Sequence, residues 1–106
     1  MRFIVIFLLL FQVTPILLAQ DFNLYEKKVY TSPSGQELPY RILFPENYDR
    51  SKKYPLILLL HGGGERGNDN EKQLTHGAKL FLTEENRKTF QAIVIVPQCS
   101  IESYWA

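Results

Sequence analysis

The chain has 106 residues, with twelve lysine and arginine side chains against eleven aspartate and glutamate side chains. This length allows one small domain at most. The near balance of charge leaves no basic face to neutralise phosphates and no charged tail, so we expect no nucleic-acid partner. Cys99 is the only cysteine, which excludes a disulfide within the chain. Because Cys99 follows an apolar strand, we favour its burial over pairing with sulfur outside this chain.

Residues 1–19 are expected to form a secretory signal peptide rather than folded structure. Arg2 precedes an unbroken apolar run over residues 3–11, which is shorter than a membrane span. Pro15 falls just after this run, and a polar segment begins after Ala19. We therefore expect cleavage after Ala19 and export to the periplasm or the extracellular space. Leu17, the third residue before the cut, departs from the usual small-x-small pattern.

The alternative for this segment is an uncleaved N-terminal membrane anchor. Pro15 and the shortness of the apolar run argue against a full span, so we expect no stable membrane span after processing. Cleavage would remove one basic residue, Arg2, and leave eleven basic (12 − 1) and eleven acidic residues. The processed chain would then be formally neutral.

The first folded element is expected to be a β-hairpin. Apolar and aromatic residues within 24–30 predict a first edge strand, and residues 31–35 are a cluster of turn formers. Residues 38–44 alternate as a half-covered strand does. Because proline cannot donate to a ladder, Pro39 predicts either that this second strand lies at a sheet edge or that Pro39 is among the first residues of the strand.

Two later segments are predicted to be strands buried on both faces. Residues 54–60 contain a continuous apolar run that ends in a glycine-rich loop over residues 61–70. Residues 92–96 form a second such run, which Pro97 ends. Apolar residues at every position are typical of parallel strands covered by helices. A strand, a helix and a strand in this order form a parallel crossover unit.

A helix is predicted between these strands, over residues 71–82. Its apolar side chains recur at helical spacing and would form one stripe facing a core: Leu74, Ala78, Phe81 and Leu82. Gly77 would weaken this helix by roughly 1 kcal/mol relative to alanine. A polar turn or second short helix follows over residues 83–88.

These elements indicate an α/β fold, in which an edge β-hairpin is followed by a parallel β-α-β unit. One good helix covers only one face of a sheet, whereas the two apolar strands require cover on both. We therefore expect residues 20–106 to be the N-terminal portion of a larger α/β domain. The alternative is a small complete domain whose missing cover comes from self-association.

The glycine triplet at the end of the first apolar strand is a candidate catalytic feature. His61, Gly62, Gly63 and Gly64 follow that strand directly, and glycines let backbone N–H groups approach a ligand closely. Ester hydrolysis develops negative charge on a carbonyl oxygen, which fixed N–H donors stabilise by about 2.7–4 kcal/mol each. We assign this oxyanion-hole role to the backbone N–H of Gly63, with Gly64 as second choice. The alternative is a glycine-rich turn that only permits close packing.

Phosphate and metal sites are poorer interpretations of the same residues. A phosphate-binding P-loop ends in Gly-Lys-Ser/Thr, but Asn68 and Asp69 follow Gly67 here. Residues 62–67 match Gly-x-Gly-x-x-Gly literally, yet Glu65 would face a pyrophosphate and no acidic partner strand is recognisable. The histidines do not share ligand spacing with cysteine or carboxylates. We therefore expect neither a cofactor nor a metal.

The chain resembles secreted α/β-hydrolase esterases over residues 38–105. The resembling motifs are Tyr-Pro-Leu-Ile at residues 54–57, Leu-His-Gly-Gly-Gly-Glu-Arg-Gly-x-Asp-Asn at 60–70, Val-Pro-Gln-Cys at 96–99, and Trp105. The most similar group comprises polyhydroxybutyrate-depolymerase-like, feruloyl-esterase-like and phospholipase/carboxylesterase-like proteins. Such proteins are also described as prolyl oligopeptidase-like or dienelactone-hydrolase-like.

The resemblance implies a mostly parallel sheet in which the strand ending at Val96 inserts between the second and third strands. It also implies a serine nucleophile in a Gly-x-Ser-x-Gly elbow, followed along the chain by Asp and then His. None of the five serines here has that context: Ser32, Ser34, Ser51, Ser100 and Ser103. Only the oxyanion-side loop is therefore transferred from the family to this chain.

Both histidines precede the position at which the resemblance implies the catalytic one. We expect His61 to anchor the glycine loop through a hydrogen bond, and His76 to lie on the surface or at a contact of the helix. Trp105 would either line a substrate pocket or serve as a core aromatic.

The charged residues of the loop are expected to support it. Glu65 and Arg66 would pair with nearby charges, or alternatively form a rim on the substrate side. Asp69 and Asn70 would tie the loop to the following helix through side-chain-to-backbone hydrogen bonds.

The sequence thus predicts the N-terminal fragment of an exported serine ester hydrolase. It would supply the oxyanion loop but no nucleophile, and this stretch alone would be inactive. The intact protein would act on an ester-containing small molecule or polymer. The alternatives are a non-catalytic binding module with a hydrolase-derived fold and a prolyl oligopeptidase-like peptidase.

Overall fold

The computed structural model describes residues 21–105, and the predicted signal peptide lies outside them. Within this part, four strands form one mixed sheet: β1 Glu26–Thr31, β2 Glu37–Leu43, β3 Leu56–Leu58 and β4 Ile93–Pro97. Their spatial order is β1-β2-β4-β3. β4 therefore lies between the second and third strands, which confirms the order that the family resemblance implied.

The predicted hairpin is present as the antiparallel pair of β1 and β2. The Ser32 hydroxyl accepts a hydrogen bond from the Gln36 N–H at 3.0 Å and so closes the turn. β2 is an interior strand, so of the two placements expected for Pro39 the sheet edge is wrong, and the position among the first residues of the strand is confirmed. Pro39 is the third residue of β2 and precedes Tyr40, where the ladder with β4 begins. Pro39 lies opposite Gln98, whose N–H donates to the Pro39 carbonyl at 2.9 Å, and proline has no N–H with which to return that bond.

β3 pairs with β4 in parallel, but its predicted burial on both faces is wrong within the described residues. Leu56 and Leu58 are 64% and 60% exposed, whereas Ile57 and Leu59 pack against the core. The connection between β3 and β4 therefore covers only one face of β3. β3 also lies at the edge of the sheet, so one side of this apolar strand lacks a neighbour among the described residues.

The predicted helix over residues 71–82 is wrong. The chain instead forms two 3-10 turns, Lys72–Leu74 and Ala78–Leu82. Gly77 separates them with a φ of +85°, in the left-handed region that an α-helix does not visit. A six-residue α-helix, α1, runs over Glu84–Thr89, and the Thr83 hydroxyl caps it by accepting from the Asn86 N–H at 3.2 Å.

The predicted apolar stripe nevertheless faces the core. The buried cluster contains Tyr25, which follows a short 3-10 helix over Phe22–Leu24, and residues of the sheet and of the two later turns: Leu43, Leu74, Ala78, Leu82, Val94 and Val96. Phe81 packs against it. The Tyr25 hydroxyl donates to the Ala78 carbonyl at 2.8 Å, and burial raises the pKa of this phenol. No helix in residues 21–105 is long and apolar enough to cross a bilayer.

We expect the substitution Gly77→Ala to destabilise the protein by about 1–2 kcal/mol, because alanine is strained at a left-handed φ. Gly77→Asn should cost less, since asparagine tolerates that conformation better. The measurement is the free energy of unfolding in urea. An α-helix through Gly77 would give the opposite sign, because alanine would then stabilise it by roughly 1 kcal/mol.

Candidate active site

The glycine corner, residues 61–64, follows shortly after β3 and lies beside the end of β4. The Leu59 N–H donates to the Ile95 carbonyl at 2.9 Å, which keeps the outgoing chain against β4. Gly62 is extended, with φ −83° and ψ −178°, and the chain then enters a single 3-10 turn, Gly63–Glu65. The Glu65 N–H closes this turn on the Gly62 carbonyl at 3.3 Å.

The backbone N–H groups of Gly63 and Gly64 donate to no acceptor among the described residues. The turn's hydrogen bond belongs to the Glu65 N–H, and the first two N–H groups of such a turn have no acceptor within it. Both glycines are exposed. A cleft of about 50 Å³ opens at this corner, lined by His61, Gly62, Gly63, Arg66, Cys99, Tyr104 and Trp105. The two N–H groups are thus free to bind an acceptor atom.

His61 links the glycine loop to the end of β4. Its Nε2 accepts from the Cys99 N–H at 2.9 Å, so this nitrogen carries no proton. The proton of the neutral ring is then on Nδ1, which donates to the Gly62 carbonyl at 2.6 Å. Both ring nitrogens are engaged, so His61 in this arrangement orients the loop and is not placed as a general base.

Arg66 binds the same loop from its other side. Its Nε donates to the Gly63 carbonyl at 2.9 Å, and its Nη1 donates to the carbonyls of Ile101 and Ser103 at 3.1 and 3.3 Å. The guanidinium also lies over the Tyr104 ring, 4.4 Å from its centroid. These contacts are to backbone carbonyls and an aromatic face rather than to a carboxylate.

Gln98 is the principal anchor of the loop, and sequence reasoning gave it no role. It is fully buried, and its Nε2 donates to the Glu65 carbonyl at 3.1 Å and to Asp69 Oδ1 at 2.8 Å. Its Oε1 accepts from the Asn70 N–H at 2.7 Å. A long polar side chain directly after a buried strand and a proline was the available signal, because a buried amide requires partners.

Asn70 and Arg41 join the end of the loop to the hairpin. The backbone of Asn70 has a φ of +55°, and its Nδ2 donates to the carbonyls of Lys28 and Tyr40, each at 3.2 Å. Arg41 is buried, and its Nε donates to the Asn70 carbonyl at 2.7 Å. Burial lowers the pKa of this guanidinium, and the Glu71 carboxylate partly opposes the shift. Sequence reasoning also gave no role to Arg41. The alternation in β2 shows which residues share a face of the sheet, but not which groups a buried side chain binds.

Asp69 ties the loop to the following turn, as the sequence pattern predicts. Its Oδ1 accepts from the N–H groups of Glu71 and Lys72 at 3.0 and 3.2 Å. Hydrogen bonds, the one from Gln98 foremost, hold the pKa of this carboxyl below its ordinary value of 3.8.

Of the remaining residues near the loop, Trp105 and Cys99 line the cleft. Glu65 Oε1 is 3.2 Å from His76 Nε2, so the Glu65 side chain turns toward the 3-10 segments. The Trp105 ring packs edge-on against His61, with the ring centroids 5.1 Å apart. The Trp105 Nε1 atom is buried and has no acceptor among residues 21–105. Cys99 is buried, in agreement with the preference drawn from the sequence.

The described residues do not assemble a catalytic triad or a metal centre. No serine hydroxyl in residues 21–105 is hydrogen-bonded to either histidine. No group of three or more His, Cys, Asp or Glu side chains in that range is arranged to hold a metal ion. What the corner offers chemically is two N–H donors without a partner among residues 21–105, and one of them belongs to Gly63, which lines the cleft.

Similarity to known proteins lies among hydrolases. A solved structure described as a thermostable esterase superposes with a TM-score of 0.73 at 33% identity, over 79% of this chain and 23% of that one. A probable dipeptidyl-peptidase 5 of Aspergillus terreus is 42% identical over 43 residues, 41% of this chain and 6% of that protein. The dipeptidyl-peptidase 5 of Aspergillus fumigatus is 64% identical over 22 residues, 21% of this chain and 3% of that protein. No protein-family model matches.

These similarities define the class of the fold. The four-stranded mixed sheet is part of an α/β-hydrolase fold, as the sequence predicted. The chain spans less than a tenth of the length of the curated relatives and about a quarter of the esterase chain. Beyond the fold, the comparisons support a hydrolase and do not select a subfamily.

We expect Asp69→Asn to reduce the hydrogen-exchange protection of the Glu71 and Lys72 amides at neutral pH, because an ionised carboxylate is the stronger acceptor. The pKa of Asp69 is lowered on folding, so its contribution is present above its ordinary pKa of 3.8 and is lost as pH falls through the lower folded value. Wild type and variant should therefore converge in acid. Asp49→Asn is the control, because Asp49 accepts from Ser51 instead. A difference that persists unchanged at low pH would contradict this role.

Proposed function

We propose that this chain supplies the oxyanion-hole loop of an exported serine ester hydrolase of the carboxylesterase or phospholipase kind. The observation that carries the proposal is the pair of N–H groups of Gly63 and Gly64, which have no partner among residues 21–105, together with the cleft that Gly63 lines after β3. Its intact form would hydrolyse an ester-containing small molecule or polymer through a covalent acyl-enzyme. Export rests on the pattern of residues 1–19 and is part of the proposal.

The loop geometry suits this chemistry for a physical reason. Stabilisation of a transition state requires donors that are already in place when charge develops, so that no reorganisation is needed during the reaction. The Gly62 and Gly63 carbonyls are bound by His61 and Arg66, and the chain on either side is tied to β4. The donors are thus held by their surroundings while their own positions carry no side chain.

The nucleophile, the acid and the base are proposed to come from sequence beyond these 106 residues. The printed sequence has no Gly-x-Ser-x-Gly, so this stretch alone should not turn over p-nitrophenyl acetate. We expect the continuing reading frame to encode such an elbow. If it does not, the non-catalytic binding module becomes the better interpretation.

The sharpest test removes one N–H without disturbing the turn. Gly63 is the first residue of the 3-10 turn, a position that accepts proline, and the extended Gly62 suits a residue before proline. In the protein expressed from its whole reading frame, Gly63→Pro should lower kcat for p-nitrophenyl acetate about 10²–10³-fold. KM should change little.

The matched control is Gly63→Ala, which keeps the N–H. A Cβ built at Gly63 meets no atom within 4 Å, so this variant should retain kcat. If Gly63→Pro is fully active, the same pair of variants at Gly64 tests the second-choice donor. Full activity of both proline variants would overturn the proposal, and a rise in KM alone would indicate a steric block instead.

A peptidase is the second candidate function, and the similarity to dipeptidyl-peptidase 5 favours it. Ester and amide hydrolysis both develop an oxyanion, so the loop serves either reaction. The two are separated by comparing kcat/KM of the whole protein for p-nitrophenyl esters and for dipeptidyl p-nitroanilides. We expect the ester to be preferred by at least about a hundredfold, a gap that corresponds to roughly 2.7 kcal/mol in the barrier. A preference for the anilide would identify the peptidase.

A further inference from the structure

The glycine triplet has almost nothing packed against it. A Cβ atom built at Gly63 or at Gly64 meets no atom within 4 Å. Glycine is also the residue whose backbone is least restricted by its own structure. Packing therefore does not hold the two candidate donors in place, and hydrogen bonds to the loop must do so.

Arg66 makes such a hydrogen bond at the centre of the loop. Its Nε donates to the Gly63 carbonyl at 2.9 Å. That carbonyl and the Gly64 N–H belong to one planar peptide unit and point in opposite directions. Fixing the carbonyl consequently aims the Gly64 N–H. It also sets the rotation of Gly63 relative to the preceding peptide, whose carbonyl His61 binds.

The guanidinium is itself held rigidly. Nη1 donates to the carbonyls of Ile101 and Ser103, and Cζ lies over the Tyr104 ring. The planar guanidinium of an arginine presents several N–H donors in fixed directions and can therefore bind these carbonyls and the Gly63 carbonyl at once. The single ammonium group of a lysine cannot. Arg66 thereby connects the glycine loop to the segment that follows β4.

We propose that Arg66 is a positioning residue that aims the oxyanion-hole amides, and that the segment over residues 101–104 is its support. The inference rests on the proposed function and adds to it the group that preorganises the site. This positioning role differs from a role of Arg66 on the substrate-side rim, because the loss of a guanidinium that bound substrate would raise KM. A guanidinium that aims an amide at the transition state acts on kcat.

The test uses Arg66→Lys in the protein expressed from its whole reading frame, with p-nitrophenyl acetate as the probe. We expect kcat to fall about tenfold to a hundredfold, the range that a misplaced group produces, while KM stays within about twofold. The matched control is Arg87→Lys. Arg87 also donates to a backbone carbonyl, that of Phe44, and lies 3.5 Å from the Glu46 carboxylate, but it does not contact the loop. This control should keep its kcat.

Two further measurements separate positioning from a loss of folding. Tyr104 is 72% exposed, so Tyr104→Leu removes the support beneath the guanidinium at little risk to the fold, and it should lower kcat in the same direction by a smaller factor. Adding guanidinium ion to Arg66→Ala should restore part of kcat. Thermal unfolding of each variant reports stability separately.

The outcomes are distinguishable. Unchanged kcat in Arg66→Lys, or a loss confined to KM, overturns the inference. If Arg66→Lys does not fold, unchanged kcat in Tyr104→Leu overturns it. If Gly63→Pro and Gly64→Pro are both fully active, the proposed function itself fails. If a proline variant is impaired and the Arg66 and Tyr104 variants are not, only the inference fails.

Discussion

The buried side-chain amide of Gln98 determines where the loop after β3 can lie. It stands immediately after β4 and is fully removed from solvent, so each of its polar atoms needs a protein partner. Glu65 and Asp69 accept from it, and the Asn70 N–H donates to it. Truncating this amide would leave groups of the loop unpaired, at about 1–3 kcal/mol for each one that stays buried. The loop is therefore fastened to the end of β4, the interior strand that pairs with β2 on one side and with β3 on the other.

At the glycine corner, surrounding residues hold the backbone in place, while the three glycines themselves carry no side chain. Cys99 contributes only its backbone: its N–H donates to His61, and its carbonyl accepts from the Gly67 N–H at 2.9 Å. Arg66 and His61 then bind two of the three carbonyls of the triplet, those of Gly63 and Gly62. Side chains thus restrain the glycines from outside, while the N–H groups of Gly63 and Gly64 have no partner among residues 21–105 and a Cβ at either position would meet no atom within 4 Å. This division is what an oxyanion site needs, because donors must be immobile and also accessible.

The distribution of apolar surface agrees with a partial α/β-hydrolase sheet. Ile57 and Leu59 of the β3 segment pack on the core, while Leu56 and Leu58 on the opposite face are exposed. In α/β proteins parallel strands are covered on both faces. The similarity to an esterase over about a quarter of its chain is consistent with a sheet of which these residues form one part. The catalytic hypothesis depends on the corner alone, since an oxyanion is common to the ester and peptide hydrolases.

Local patterns in the sequence determined the hairpin, the two apolar strands and the glycine corner, because alternation, apolar runs and turn residues act over a few positions. The same patterns misjudged residues 71–82: the apolar spacing was right about the face that is buried, but Gly77 adopts a left-handed φ and the segment divides into two 3-10 turns. Only the tertiary structure decided the roles of Gln98 and Arg41, whose partners lie 28 and 29 residues away at Asn70. Which buried polar groups meet depends on the path of the chain between them, and no short-range pattern records that path.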